Sequence, residues 1–237
     1  MSIYALSDLH GDKILFDEIQ NFLKPDDTVI FLGDAADRGE DGWEIIKSIL
    51  NDKRWIYLMG NHEDLLIKRL RRPESYDAAS LHNMNGGAPT WEAAQNDPEA
   101  RNVMLKLIQL PYSYSYVNKD GVKIYMSHSG AISDDNDDLI WDREHFFTPI
   151  KYMTDDYDVI IHGHTPIPYL SERLKKFNEF YSKDKITVPD GNWDYGAYQY
   201  NGNKIDIDCC TIVTHATVLV NLDNFDEDVF RYYKEDK

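Results

Sequence analysis

Short apolar runs that each stop on a polar residue constrain this chain more than any other feature. Residues 2–7 run into Asp8, 28–33 into Asp34, 55–60 into Asn61, 122–127 into His128 and 158–163 into His164. Runs of this length, rich in branched and aromatic side chains, predict buried strands. Between the first three lie helical repeats. Leu15, Ile19, Phe22 and Leu23 share one face ahead of Pro25, and Trp43, Ile46, Ile49 and Leu50 share another. Strands alternating with helices predict right-handed crossovers and a largely parallel sheet core. Ligands of such sheets bind beyond the carboxyl ends of the strands. The terminal polar residues are therefore expected to converge on one edge, and a buried cluster of that kind needs cations to offset its charge.

The remaining chain is less regular. Residues 65–111 read as helical, with a loop at 83–90 and a cap at Asn96 or Asp97 before Pro98. Residues 166–203 are polar and aromatic, punctuated by Pro189, Gly191, Gly196 and Gly202. Residues 204–208, 216–221 and 229–233 read as antiparallel strands with one wet face. The expectation is one domain over residues 1–237, with a helical insertion at about 65–111 and a polar-aromatic insertion at about 166–203. A formal net charge of -17 argues against nucleic acid, whose phosphates need a basic surface, yet leaves room for one local basic pocket. The 2 cysteines are adjacent, Cys209 and Cys210, so no disulfide framework is expected and a reducing compartment is. They cannot bond each other without strain and are expected to fill the core. The opening residues lack a basic n-region and a long apolar stretch, so neither a signal peptide nor a membrane span is expected. A cytoplasmic globular protein follows.

The strand ends carry Asp8-Leu9-His10-Gly11, Gly33-Asp34-Ala35-Ala36-Asp37-Arg38-Gly39, Gly60-Asn61-His62-Glu63, His128 and Gly163-His164-Thr165. Each alone is a weak signal, and an isolated Asp-x-His is more often a turn than a ligand pair. In this order, each at a strand end, they resemble the metallophosphoesterase superfamily. Within it they are similar to the phosphoprotein phosphatases, including the small bacterial and bacteriophage lambda type. The resemblance spans Asp8 to about Asp208 and is densest over Asp8–Glu63. It implies an α/β calcineurin-like fold, with central mixed β-sheets flanked by helices.

Oxygen and imidazole ligands without thiolates suit divalent Mn, Fe, Zn or Ni. The family pattern implies two divalent ions, Mn foremost. One would be held by Asp8, His10 and Asp34, the other by Asp34, Asn61, His128 and His164, with Asp34 as the bridge. Water shared by two dications is acidified towards neutrality and serves as the nucleophile. The resemblance makes His62 the general acid for the leaving oxygen, oriented by Asp37. Arg38 would clamp phosphate oxygens with its fork of donors, and Arg143 matches the second clamp, with Arg173 next in line.

Other residues have plainer readings. His162 is expected to sit behind the ligands, and His82, His145 and His215 to be surface or packing histidines. Glu63 bonds backbone or caps the helix that follows. Asp206 and Asp208 are read as structural. Asn85-Gly86-Gly87 is either an ordinary turn or a loop like that of bacterial relatives, with equal weight. The aromatics Phe177, Phe180, Tyr181, Trp193, Tyr195, Tyr198 and Tyr200 form a lid or, by default, fill a satellite core.

The expected activity is phosphomonoester hydrolysis on a phosphorylated Ser/Thr or Tyr protein or a small phosphomonoester. A diadenosine tetraphosphate hydrolase is the alternative. Those relatives tend to carry Ala where Asp37 stands and Asp where Glu63 stands. Lys68, Arg69, Arg71 and Arg72 would be the groove for such a ligand, against the plainer reading of a solvated helix face. A metal-binding scaffold without activity is disfavoured, because a decayed site would be expected to lose some of these residues.

Overall fold

The computed structural model describes residues 1–180 and 196–233, with side chains through Asn178 in the first stretch. The first half runs β1 (Ile3–Leu6), α1 (Lys13–Phe22), β2 (Thr28–Phe31), α2 (Gly42–Asn51), β3 (Trp55–Tyr57) and α3 (Asn61–Arg71). Three more helices follow, α4 (Tyr76–Met84), α5 (Ala88–Gln95) and α6 (Ala100–Leu107). The second half holds β4 (Ser113–Val117), β5 (Lys123–Ser127), α7 (Asn136–Trp141), β6 (Val159–His162), α8 (Ile167–Phe180), β7 (Tyr198–Tyr200) and β8 (Lys204–Asp206). It closes with α9 (Thr211–Thr214), β9 (Ala216–Asn221) and β10 (Glu227–Arg231).

These strands make two mixed sheets, ordered β10-β9-β1-β2-β3 and β4-β5-β6-β8-β7. The alternation of each strand explains the layering. On β1 and β2, Tyr4, Leu6, Val29 and Phe31 face the helices, packing with Leu15 and Ile19 of α1 and Ile46 of α2. Their neighbours Ala5, Ile30 and Leu32 face the other way, onto Ile124, Met126 and Ile161 of the second sheet. A side-chain period of two thus places one core under the helices and another between the sheets. Parallel pairing of β1, β2 and β3 in one sheet, and of β5, β6 and β8 in the other, leaves their carboxyl ends open to ligands.

Two expectations change. Residues 204–208 do not join an antiparallel set with the last strands, because β8 pairs parallel with β6 and is buried throughout. Of these three segments the wet face belongs to β10, since β9 is covered on both sides. Within 166–203, turn signals gave no hint of α8, whose Leu170 and Leu174 enter the core between the sheets. Tyr198 and Tyr200 fill that same core, and Phe177 stacks on Phe147. Tyr181, Pro189, Gly191, Trp193, Tyr195 and the Phe180 side chain lie outside the described residues. Cys209 is buried between the sheets, while Cys210 is half-buried. Among the described residues no helix is long and apolar enough to cross a membrane.

Candidate metal centre

The ends of β1 and β2 lead directly to Asp8 and Asp34, and β3 leads to Asn61 at the start of α3. From the second sheet, β5 leads to His128 and β6 to His164. With His10 these side chains meet at one sheet edge, and none is more than 5% exposed. The backbone is unusual here. Asp8, His10, Asp34 and His164 have φ of 54°, 44°, 62° and 66°, and Asp37 and Arg38 have 69° and 67°. Residues with a Cβ seldom adopt this left-handed region, and each such residue costs on the order of 1 kcal/mol. Gly163 is required by close approach, since a Cβ there would overlap Asp8 Oδ2 and Ser7 Oγ.

The polar atoms are arranged for cations. Asp34 Oδ2 lies 3.3 Å from His128 Nε2 and 3.8 Å from both His10 Nε2 and His62 Nε2. Asp8 Oδ1 lies 3.7 Å from His10 Nε2. Asn61 Oδ1 lies 2.9 Å from His128 Nε2 and 2.8 Å from His164 Nδ1. His10 Nδ1 faces the Ala36 carbonyl at 3.0 Å and His128 Nδ1 faces that of Leu32 at 2.8 Å. A carbonyl only accepts, so each Nδ1 carries hydrogen. With both rings neutral, their Nε2 lone pairs would aim at carboxylate and amide oxygens, which is repulsive without positive charge between them. Asp8 Oδ1, His10 Nε2 and His164 Nε2 are buried and have no hydrogen-bond partner among the described residues. Two overlapping groups, His10/Asp34/His62 and Asp34/His128/His164, bring ligand atoms within 4.8 Å of one another. Asp34 belongs to both. This donor set fits divalent cations.

Titration points the same way. Burial, with the nearby Arg38 and His62, pushes His10 down to about 3, and burial with His128 and Arg143 depresses His164 strongly. Both rings are therefore neutral and able to ligate. Burial opposes ionisation of Asp34, but His128, His62 and His10 outweigh it and hold the carboxyl well below its ordinary range. Burial also opposes a charged His128, yet Asp34, Asp8 and Glu63 overcome it and raise that ring to about 9. Without a metal, the excess of buried carboxylates is answered by a proton on His128.

Residues 1–188 match the family described as calcineurin-like phosphoesterases. The chain belongs to this family. Its members are generally hydrolytic enzymes and bind two divalent metals. Comparison with curated proteins gives no match. Among solved structures, the chain resembles a candidate diadenosine tetraphosphatase with a TM-score of 0.58 at 14% identity, covering 98% of this chain and 94% of that one. A metallophosphoesterase from Sphaerobacter thermophilus superposes with a TM-score of 0.57 at 14% identity, with 98% and 89% coverage. A protein serine/threonine phosphatase from Saccharomyces cerevisiae, with similarity to human phosphatase PP5, superposes with a TM-score of 0.54 at 14% identity, with 100% and 81% coverage. At these identities the likeness is one of fold.

Around this candidate cradle the other expected site residues also gather. His62 Nδ1 lies 2.8 Å from Asp37 Oδ2, and an Arg38 N–H reaches His62 Nε2 at 3.1 Å. Burial works against a charged His62, but Asp34 and Asp37 raise its pKa. Arg143 donates from Nε to Thr165 Oγ1 at 3.0 Å and from a terminal nitrogen to the His164 carbonyl at 3.4 Å. Burial, reinforced by Arg173 and Arg38, lowers its pKa, so the two expected clamps sense each other. Arg173 instead pairs with Glu144 at 3.5 Å and covers Phe147. Of the supposed basic groove, Arg69 turns inward over Trp91 and Lys68 pairs with Asp64 at 2.6 Å.

Several residues differ from their sequence reading. His82 is not on the surface and does more than pack: it is fully buried, with Nε2 3.0 Å from Asp37 Oδ1. The loop at 85–87 is also more than a turn, since the Gly86 carbonyl accepts the Arg38 N–H at 2.9 Å. Glu63 does both things expected of it. One oxygen accepts from Asp34 and Gly60 N–H, the other from Ala35 and Ala36 N–H, at 2.7–3.2 Å. His162 faces away from the cradle, 2.8 Å from the Tyr200 hydroxyl. His145 is a buried packing residue against Ser129 and Lys204, and His215 is half-buried beside Tyr232. Burial raises Asp206 and Asp208 well above the ordinary carboxylate range.

Proposed function

We propose that the protein hydrolyses phosphate monoesters and that its substrates are phosphorylated proteins, as in the phosphoprotein phosphatases. The observation carrying this reading is the Asp37–His62 contact of 2.8 Å beside the cation-ready cradle. An alkoxide leaves a phosphate poorly unless it receives a proton, and a carboxylate-held imidazole supplies one. A nucleotide phosphate, the leaving group of a dinucleoside polyphosphate, needs that proton less.

In this reading Asp8, His10 and Asp34 hold one cation, and Asp34, Asn61, His128 and His164 hold the other. When bound, such a pair supplies Lewis acidity: it neutralises phosphate oxygens and acidifies water. The chain's own residues do the rest. Asp37 accepts from His62 Nδ1 and fixes the ring so that Nε2 faces the cradle. With Arg38 turned from His62 Nε2 to the phosphate, His62 carries a hydrogen at Nε2 and gives it to the departing oxygen. Arg38 and Arg143 bind the non-bridging oxygens as charge accumulates on them. Mn is the proposed metal, and the cytoplasm the proposed compartment. We also read residues 65–111 and 166–203 as insertions within a single domain.

The test is a comparison of kcat/KM at matched ionic strength and equal Mn loading. Phosphopeptides and p-nitrophenyl phosphate should be turned over better than diadenosine tetraphosphate. Preference for the dinucleotide, cleaved symmetrically, would overturn the protein-phosphatase reading and leave the metal chemistry standing.

A further inference from the structure

His82 lies on α4, away from every strand end, yet its ring is in the interior. It is wedged against Gly87, where a Cβ would overlap the imidazole. Its Nε2 is 3.0 Å from Asp37 Oδ1, the carboxylate oxygen that His62 does not use. Its Nδ1 is 3.3 Å from an Arg69 guanidinium nitrogen, which also donates to Asn83 Oδ1 at 2.7 Å. Arg69 is itself buried, 4.2 Å above the Trp91 ring.

These contacts fix a direction. A guanidinium only donates, so His82 Nδ1 must accept. The hydrogen of the neutral ring is then on Nε2, pointed at Asp37. Asp37 receives His82 on one oxygen and His62 on the other, while its own N–H is tied to Thr90 Oγ1 at 2.8 Å. Burial disfavours a charged Asp37, and the two imidazole hydrogen bonds reverse that and keep the carboxyl below its ordinary range.

We infer that His82 is a positioning residue of the reaction: with its tautomer set by Arg69, it anchors Asp37 so that Asp37 can orient His62. The chain of contacts runs Arg69, His82, Asp37, His62. Only the last member meets substrate. This inference rests on the phosphomonoester reading for its kinetic consequence, and on the hydrogen-bond chain alone for its spectroscopic one.

The test uses the Zn-loaded full chain labelled with nitrogen-15 histidine, together with His82→Leu and His82→Gln. In the unmodified protein, His82 should show hydrogen on Nε2 and a bare Nδ1. His82→Leu should shift the His62 ring resonances, and His82→Gln, whose amide can donate to Asp37, should return them. If His82→Leu does not fold, His82→Asn, whose amide stops short of Asp37, takes its place. In turnover, the non-donating variant should lose roughly 10–100-fold in kcat on alkyl phosphates, with about 3-fold or less on p-nitrophenyl phosphate. KM and bound metal should be unchanged, and His82→Gln should recover most of the loss. An equal loss on every leaving group, or a His62 ring indifferent to the loss of His82, overturns the inference. If the unmodified protein cleaves no phosphomonoester, the proposed function fails instead, and the nitrogen-15 spectra still decide whether His82 holds the pair.

Discussion

Replacement of Glu63 by Gln should destabilise this protein more than almost any other change of equal size. The carboxylate is fully buried and accepts the N–H groups of Asp34, Ala35, Ala36 and Gly60 at 2.7–3.2 Å. Oε2 takes Asp34 and Gly60, and Oε1 takes Ala35 and Ala36. A Gln keeps one acceptor oxygen and turns an NH2 group towards the other pair. Two buried backbone donors then face a donor, at about 1–3 kcal/mol each, for a total of roughly 2–6 kcal/mol. Because the Asp34 N–H is one of the four, its carboxylate should also lose its fixed aim, and Mn affinity should fall. Urea unfolding of chelated protein, followed by tryptophan fluorescence, measures the first effect through a shift in midpoint at unchanged slope. Calorimetric titration with Mn measures the second. A Glu63→Gln protein within about 1 kcal/mol of the parent and with parental Mn affinity would refute the reasoning, since it would mean these N–H groups find other partners.

Three further outcomes are expected. His62→Asn should keep its metals but slow hydrolysis of alkyl phosphates more than that of p-nitrophenyl phosphate, whereas Asp34→Asn should lower metal content by elemental analysis. Arg38→Ala and Arg143→Ala should each lose on the order of 10²–10³ in kcat with metal retained, and phosphate should inhibit both less. Burial brings the Lys204 ammonium, hidden against His145, down to about 7. Above that pH the unfolded chain holds a proton that the folded chain has released, so stability should rise with pH from about 7 to about 10 and fall back towards neutrality. Lys204→Met should remove most of that slope in denaturation midpoints taken at about pH 7 and about pH 9.5.

The strand ends were legible in the sequence because a buried parallel strand writes itself as a continuous apolar run, and the residue that breaks the run must lie at its carboxyl end. The sequence alone therefore puts Asp8, Asp34, Asn61, His128 and His164 at one edge. Glu63 was half-legible, since its position on the first turn of a helix announced a cap but not the reach back to residues 34–36. His82 was illegible. Its meaning depends on α4 folding against α3, which puts Arg69 on one side of the ring and Asp37 on the other, and no local pattern records such a juxtaposition. The same limit explains β8. Its alternation identified a strand, but whether a strand pairs with β6 or β9 is decided by which sheet the intervening chain reaches.

The candidate ligands come from both sheets, and the His128 ring of the second sheet is held by the Leu32 carbonyl of the first. In the proposed reading Asp8, His10 and Asp34 all follow strands of the first sheet, so one cation can load before the halves dock, whereas the other waits for His128 and His164 of the second. Once seated, the ion shared with His128 and His164 would rivet the two layers together at their open edge. Escape of that ion and separation of the layers should then be coupled, so an undocked or damaged copy would lack the paired site.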